Sequence, residues 1–186
     1  MFNNFKFKNN SKTKFRLHSE SGAGFTIVEI IIAISILSFG IVSVYSVFSG
    51  IVILTYNISL RFTAAYLAQE GVEIVRNIRD NNFINMVSNP NLKWSAGLIG
   101  SPCNTGCQAD YKTQTLNQYN NTFLGLNNGG FYSYDTGATP TMFKRKIIIS
   151  PVLGTGNALN VAVVVIWKYA GQTFTFKAEE YLYNWY

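Results

Sequence analysis

One uncharged apolar stretch near the N-terminus constrains this chain more than any other feature. Residues 24–60 contain a single charged residue, Glu29, and none is present from Ile30 to Leu60. About 20 apolar residues are enough to span a bilayer as an α-helix, because a helix satisfies its backbone hydrogen bonds internally. The stretch therefore predicts one membrane-spanning helix.

Glu29 is the unusual residue of this stretch. A carboxylate at membrane depth costs on the order of 2.5–3.5 kcal/mol on insertion scales, and acids in such positions usually have a function. The simple alternative is an acid that snorkels to the membrane face, since Glu29 lies near the start of the helix. A cationic partner that also supplies hydrogen bonds would make the buried carboxylate tolerable.

The motif around Glu29 is similar to a known signal. The residues GFTIVE at 24–29, followed by an Ile-rich helix, resemble the class III signal of type IV prepilins and pseudopilins. This resemblance implies that a prepilin peptidase cuts between Gly24 and Phe25 and methylates the new amino group of Phe25. It also implies that Glu29 pairs with the N-terminal amine of a neighbouring pilin subunit, through contacts between N-terminal helices.

The excess positive charge belongs mostly to residues 1–24. The formal net charge is +6, and +4 of it comes from five basic residues and one acid ahead of Gly24. A basic flank keeps the N-terminus in the cytoplasm by the positive-inside rule. We therefore expect 1–24 to be a cytoplasmic leader that is removed, and not a nucleic-acid-binding arm. The expected location is the inner (cytoplasmic) membrane in a single pass with the C-terminus outside, in contact with membrane lipid, and later an extracellular or periplasmic filament.

The composition argues against an enzyme. The only histidine, His18, lies in the predicted leader, so a mature chain could not use Ser-His-Asp or Cys-His catalysis or a His-containing zinc site. No glycine-rich phosphate loop opens a helix after a strand. Asp110 and Asp135 are the only acids between Asp80 and Glu179, which gives no support for a calcium site. We expect no catalytic residue, metal or cofactor.

The helix is predicted to continue beyond the membrane and to end near residue 82. Within residues 61–82, apolar and small residues recur at three- and four-residue spacing, which indicates one buried helical face. These residues are Ala64, Leu67, Ala68, Gly71, Val72, Val75 and Ile78. Residues 25–60 form the membrane and filament half of the predicted helix, and residues 61–82 form the half that packs against the protein's own head.

Small residues also cluster on one side of the membrane half. At 100° per residue they fall within an arc of about 140°. They are Ser35, Ser38, Ser43, Ser46, Ser49 and Gly50. Two interpretations remain open: close helix–helix packing through this stripe, or serine hydroxyls that simply bond to their own backbone.

Residues 83–140 are rich in Asn, Gly, Thr, Ser and Tyr, which is typical of surface loops with short strands. The only two cysteines, Cys103 and Cys107, lie there. Two cysteines cannot complete a four-ligand zinc site, and CxxxC is not the CxxC spacing of redox motifs. If this segment leaves the cytoplasm, a disulfide that closes a tight loop is favoured over two free thiols.

The C-terminal third predicts an antiparallel sheet of three or four strands. Strands are expected at 143–149, 159–167, 173–177 and 181–186, with a hairpin turn at 169–172. One face of this sheet should cover the amphipathic half of the helix, so the fold class is α+β, with a head at 83–186. The arrangement of helix on sheet, and the hydrophobic strand that ends the chain, also resemble the pilin family and its minor pilins.

A basic triplet begins the first of these strands. Alternation sends Lys144 and Lys146 to one face and Arg145 to the other, so only two of the charges share a surface. A solvated strand face is favoured over a DNA-binding site.

The sequence therefore predicts a structural subunit, a minor pilin of a type IV pilus (fimbrium) or related filament. One alternative is a pseudopilin of a type II secretion system, which gene neighbourhood would separate. A second is a single-pass anchored binding protein that does not assemble, in which residues 1–24 would remain attached.

Overall fold

The computed structural model describes residues 24–100, 102–154 and 156–185. The predicted leader therefore lies outside the described residues, except for Gly24. The chain divides into two compact units, one ending at Gly50 and the other covering Ile51–Tyr186.

The first unit contains the beginning of helix α1, Ile27–Met86, which continues into the second unit. Among the described residues, α1 is the one helix that is long and apolar enough to cross a membrane, and it lies near the N-terminus. Four serines of this unit donate hydrogen bonds to carbonyl oxygens four residues earlier: Ser35, Ser38, Ser43 and Ser49. The backbone-bonded state of the serine stripe is thus present, and it leaves the helix–helix interpretation open.

In the second unit, α1 buries one face. The buried residues are Leu60, Ala64, Leu67, Ala68, Gly71, Val72, Val75 and Phe83. This confirms the buried face predicted from the spacing of the apolar residues, with Ile78 partly buried against the same core.

The helix packs against an antiparallel sheet, and the α+β fold is confirmed. The strands are β1 (Cys107–Gln108), β2 (Asn117–Gln118), β3 (Gly125–Leu126), β4 (Tyr132–Ser133), β5 (Thr139–Pro140), β6 (Phe143–Pro151), β7 (Ala158–Tyr169) and β8 (Gln172–Tyr183). Five strands form the main sheet in the order β2-β1-β6-β7-β8, and β4-β3-β5 form a small second sheet. Strands β6 and β7 carry most of the buried residues of the main sheet, and β8 adds Leu182.

Strand β8 differs from the prediction. Residues 173–177 and 181–183 of the two expected strands belong to one strand, because the alternation of exposed and partly buried side chains continues through Ala178 and Glu180. The strand ends at Tyr183, before the predicted end, and Tyr186 lies outside the described residues. The predicted turn at 169–172 is confirmed: Tyr169 pairs with Gln172 across it. Its two central residues have positive φ, which is the geometry of a tight hairpin turn that matches the twist of the strands.

The helix also ends later than predicted, at Met86 and not near residue 82. The Asn82 amide donates hydrogen bonds to the carbonyl oxygens of Trp94 and Ala96, at 3.0 and 2.8 Å. One residue further on, the Phe83 ring stacks on Trp94. These tertiary contacts cover the last turn and hold it helical where the local sequence alone predicts fraying.

Helix α1 follows strand β8 in the same direction. Two contacts join the elements themselves, Arg61 with Phe174 and Arg76 with Glu180. Two more flank them in the same order: Tyr56 meets Tyr169 at the end of β7, and Phe83 meets Trp185 just after β8. The helix rises about 1.5 Å and a strand about 3.3 Å per residue, so the step from Arg61 to Arg76 (about 22 Å) matches the step from Phe174 to Glu180 (about 20 Å). The second half of α1 therefore runs in the same direction as β8, and its buried face contacts Val163 of β7 and Arg145 of β6.

Candidate functional site

The candidate site is the start of α1, where a threonine fixes the first turn. The Thr26 hydroxyl accepts a hydrogen bond from the Glu29 backbone N–H at 3.2 Å, and the Thr26 carbonyl accepts one from Ile30 at 3.2 Å. Thr26 is therefore the N-cap residue, which satisfies one of the free donors at the helix end. The helix begins at Ile27, and Gly24 and Phe25 precede it.

The peptide bond between Gly24 and Phe25 lies in this non-helical segment. Both residues are exposed, and the Phe25 side chain retains 76% of its accessible surface. A Cβ atom built on Gly24 would meet no other atom within 4 Å. Within the described residues, nothing in the fold requires a glycine here, so any such requirement would come from a molecule that recognises this bond.

Glu29 is the third residue of the helix, and its carboxylate is exposed among apolar side chains. In the described part of the chain, no hydrogen bond or ion pair reaches this carboxylate. Its place in the first turn is electrostatically favourable, because a helix N-terminus carries a partial positive charge. The cap fixes the backbone of residue 29, and the carboxylate remains available to a partner outside the chain.

The cap at Thr26 was missed at the sequence level, although a signal for it exists. Residues Thr26 to Glu29 have the T-x-x-E spacing of a capping box, in which a threonine and a glutamate flank the first turn. In the structure the threonine half of this box is formed. Glu29, the last residue of the prepilin-like motif, thus also belongs to a helix-start signal.

The two cysteines lie in the second unit and are joined by a disulfide. Both are buried, at 2% and 0% exposure, in the core of the head. Cys107 pairs with Ile147 of β6, and the Cys103 carbonyl accepts a hydrogen bond from Ile149 at 3.1 Å. The small ring therefore attaches its loop to the main sheet.

The basic triplet divides as predicted. Lys144 and Lys146 are partly exposed on one face of β6, where their ammonium groups lie over the rings of Phe123 and Tyr119. Arg145 points to the other face and is completely buried.

Arg145 joins the helix to the sheet. Its guanidinium donates hydrogen bonds to the carbonyl oxygens of Leu67 (3.0 Å) and Ala109 (2.6 Å). Nη1 also lies 3.0 Å from a carboxylate oxygen of Glu70. This buried ion pair was missed at the sequence level, because alternation gives the face of Arg145 but not its partner on another element.

Tyr134 completes this cluster. Its hydroxyl donates to the Arg145 carbonyl at 3.3 Å. Burial raises the pKa of Tyr134 to about 12, and the nearby positive charge of Arg145 opposes part of this rise. The tyrosine therefore stays protonated at neutral pH, and the cluster serves packing and cohesion of the head.

Across residues 24–100, 102–154 and 156–185, no group of three or more His, Cys, Asp or Glu side chains is placed to hold a metal ion. Comparison with models of protein families, with curated proteins and with solved structures found no match for this chain. Its function is therefore inferred from its own residues and their geometry.

Proposed function

We propose that the chain is a prepilin-like structural subunit. It enters the membrane through α1, loses its leader by cleavage between Gly24 and Phe25, is methylated on Phe25, and assembles through its N-terminal helix. The filament is a type IV pilus or a related fibre. A type II secretion pseudopilus would use the same chemistry.

The Glu29 carboxylate is the observation that carries this proposal. It is the only charged group between Gly24 and Leu60, and it has no partner among the described residues. An unpaired acid in an apolar environment is costly, and a cationic partner with hydrogen bonds reduces the cost. The free amine that cleavage creates on Phe25 of another copy would be such a partner, and it would appear only after processing.

Processing is tested by the mass and the N-terminal residue of the protein in native membranes. We expect the chain to begin at Phe25 with one added methyl group. Gly24→Val should leave the full leader attached, whereas the neighbouring control Gly22→Val should still be cut. Since a Cβ at residue 24 meets nothing within 4 Å, a defect of Gly24→Val would not come from the fold of the described chain. A wild-type protein that retains residues 1–24 would overturn the proposal.

Assembly is tested by Glu29→Ala. The variant should insert normally and be cut, but it should be depleted from sheared or secreted filaments. Glu73→Ala is the matched control, because Glu73 is an exposed acid on the same helix whose partner, Arg76, lies within the chain. Equal incorporation of Glu29→Ala and Glu73→Ala would contradict the role assigned to Glu29.

A further inference from the structure

The turn between β7 and β8 lies beside the last part of the apolar stretch. The ring of Tyr169, where β7 ends, is 5.1 Å from the ring of Tyr56. Tyr56 lies four residues before Leu60, the last residue of the uncharged run, and Arg61 is the first charge after it. This end of the head therefore lies beside the last turns of the apolar part of the helix.

The length of the uncharged run indicates where a bilayer would end. Residues Ile30 to Leu60 form 31 helical residues, or roughly 46 Å at 1.5 Å per residue. A bilayer with both headgroup layers is about 40–45 Å thick. If α1 crosses a membrane, Arg61 lies at the outer headgroups, and Tyr56 lies roughly 8 Å deeper, five residues earlier at 1.5 Å each.

The side chains at this end suit a headgroup layer. Arg61 is exposed, with its guanidinium 5.9 Å from the centre of the Phe174 ring. Lys168 is also exposed, next to Tyr169. Among the described residues neither cation pairs with a carboxylate, whereas Arg76, further along the same helix, and Lys177, on the neighbouring strand β8, both do. Cations together with Trp and Tyr are the side chains that favour membrane interfaces.

A groove opens at the same place. It has a volume of about 430 Å³ and is lined by Leu54, Asn57, Ile58, Arg61, Trp167 and Phe174. Apolar residues thus line the side that continues the membrane stretch, and Arg61 supplies the charge. This combination fits the junction between an acyl chain and a phosphate.

We propose that this end of the head docks on the membrane through phospholipid headgroups. Arg61 and Lys168 bind lipid phosphates. They lie on opposite faces of the hairpin, since Arg61 meets Phe174 on the helix side and Lys168 pairs with Thr173, so each serves a different headgroup. The proposal rests on the membrane-crossing part of the proposed function, and it identifies phospholipid as the partner of the head.

The test uses the full chain reconstituted in vesicles, with a nitroxide label at Gln172→Cys. The two native cysteines are joined to each other and do not compete for the label. A second preparation carries the label at Ser88→Cys, in the exposed segment just after α1 and at the opposite end of the β8 contacts. Collision of each label with a water-soluble nickel chelate is measured in phosphatidylcholine alone and with added phosphatidylglycerol.

We expect residue 172 to be shielded from the chelate and residue 88 to be accessible, with more shielding at 172 when phosphatidylglycerol is present. The double variant Arg61→Gln with Lys168→Gln should lower the ratio of docked to undocked heads by about 25-fold, since one cation near an anionic surface contributes about fivefold. Lys93→Gln with Lys146→Gln removes the same charge elsewhere on the head and should change little.

Three outcomes would overturn the docking. One is equal accessibility of residues 172 and 88 in a chain that resists alkaline extraction from the vesicles. Another is an equal effect of the two double variants. The third is shielding that coincides with spin–spin broadening between labels and vanishes on dilution with unlabelled chain, which would assign this end to a second copy. A chain that alkali extracts would instead remove the membrane premise, so the two failures are distinguishable.

Discussion

Two of the three glutamates of helix α1 are in opposite situations, Glu29 near its start and Glu70 in its second half. Glu70 pairs with Arg145, whose guanidinium is fully buried and also bonds to two backbone carbonyls. Glu29 is exposed on an apolar surface and contacts no cation within the described chain. The same type of side chain thus has a cationic partner within the chain in one half of the helix and none in the other.

The difference separates an acid that stabilises the head from one for which we propose a role in assembly. Glu70 is partly exposed, but its loss would leave the buried guanidinium of Arg145 without its carboxylate, so the pair is tied to the stability of the head. Glu29 contributes nothing comparable to the folded chain, so its substitution should affect only interactions with other molecules. The distinction can be tested by the change that each substitution causes in the free energy of unfolding of the head, measured on the full chain in detergent.

The largest effect is expected for Arg145→Ala, which should lower the free energy of unfolding by about 3–5 kcal/mol, because it empties the space of a large, fully buried side chain. The variant removes the link between helix and sheet and leaves the Leu67 and Ala109 carbonyls without this donor. Denaturant titration followed by near-UV circular dichroism measures the loss. Lys144→Ala, on the other face of the same strand, is the control and should cost less than about 1 kcal/mol. Equal losses for the two variants would show that Arg145 does not link the helix to the sheet.

The next effect concerns the close approach of helix and sheet at Gly71. A Cβ atom there would lie 2.8 Å from Cγ1 of Val163 and 3.2 Å from Cδ of Arg145. Because valine is stiff and cannot move its methyl group away cheaply, Gly71→Ala should destabilise the head by about 1–3 kcal/mol. Gly50→Ala, where nothing lies within 4 Å, should be neutral or slightly stabilising. Similar thermal shifts for both variants would show that Gly71 is not a packing glycine.

A third prediction uses pH. The pKa of Tyr134 is raised from 10.0 to about 12 in the folded chain, so the folded state holds this proton more tightly than the unfolded state. The stabilisation is fully present below pH 10 and is lost between about pH 10 and 12. The loss is on the order of 2 kcal/mol. Tyr134→Phe should flatten the stability curve in this window, and an unchanged slope would disprove the assignment.

The smallest effect is expected for Glu29→Ala. It should change the stability of the head by less than about 0.5 kcal/mol, since the carboxylate makes no contact there. Glu70→Ala is the informative comparison and should cost about 1–3 kcal/mol, because it leaves the buried Arg145 without its carboxylate. A stability loss for Glu29→Ala as large as that for Glu70→Ala would remove the distinction between the two acids.

Much of the fold was predictable because local periodicity decided it. The spacing from Ala64 to Val75 revealed the buried helix face, and alternation revealed β6 and β7. The end of α1 was not predictable, because Asn82 finds its acceptors, Trp94 and Ala96, in a loop whose path depends on the folded core.

The candidate site was located from sequence, but its environment was not. The motif at 24–29 indicated Glu29 as a candidate functional residue. Its lack of an internal partner depends on the whole fold, and so does the pairing of Arg145 with Glu70, which requires the register between helix and sheet. The Thr26 cap was readable from its T-x-x-E spacing and was missed.

The alignment of α1 with β8 has a mechanical consequence. The partners of the helix residues from Tyr56 to Phe83 follow in the same order along residues 169–185, so tension applied along the helix axis would load these contacts in shear, all at once. Force applied across the axis would instead peel them one by one. A head attached in this way resists being pulled off lengthwise far better than being pried off sideways.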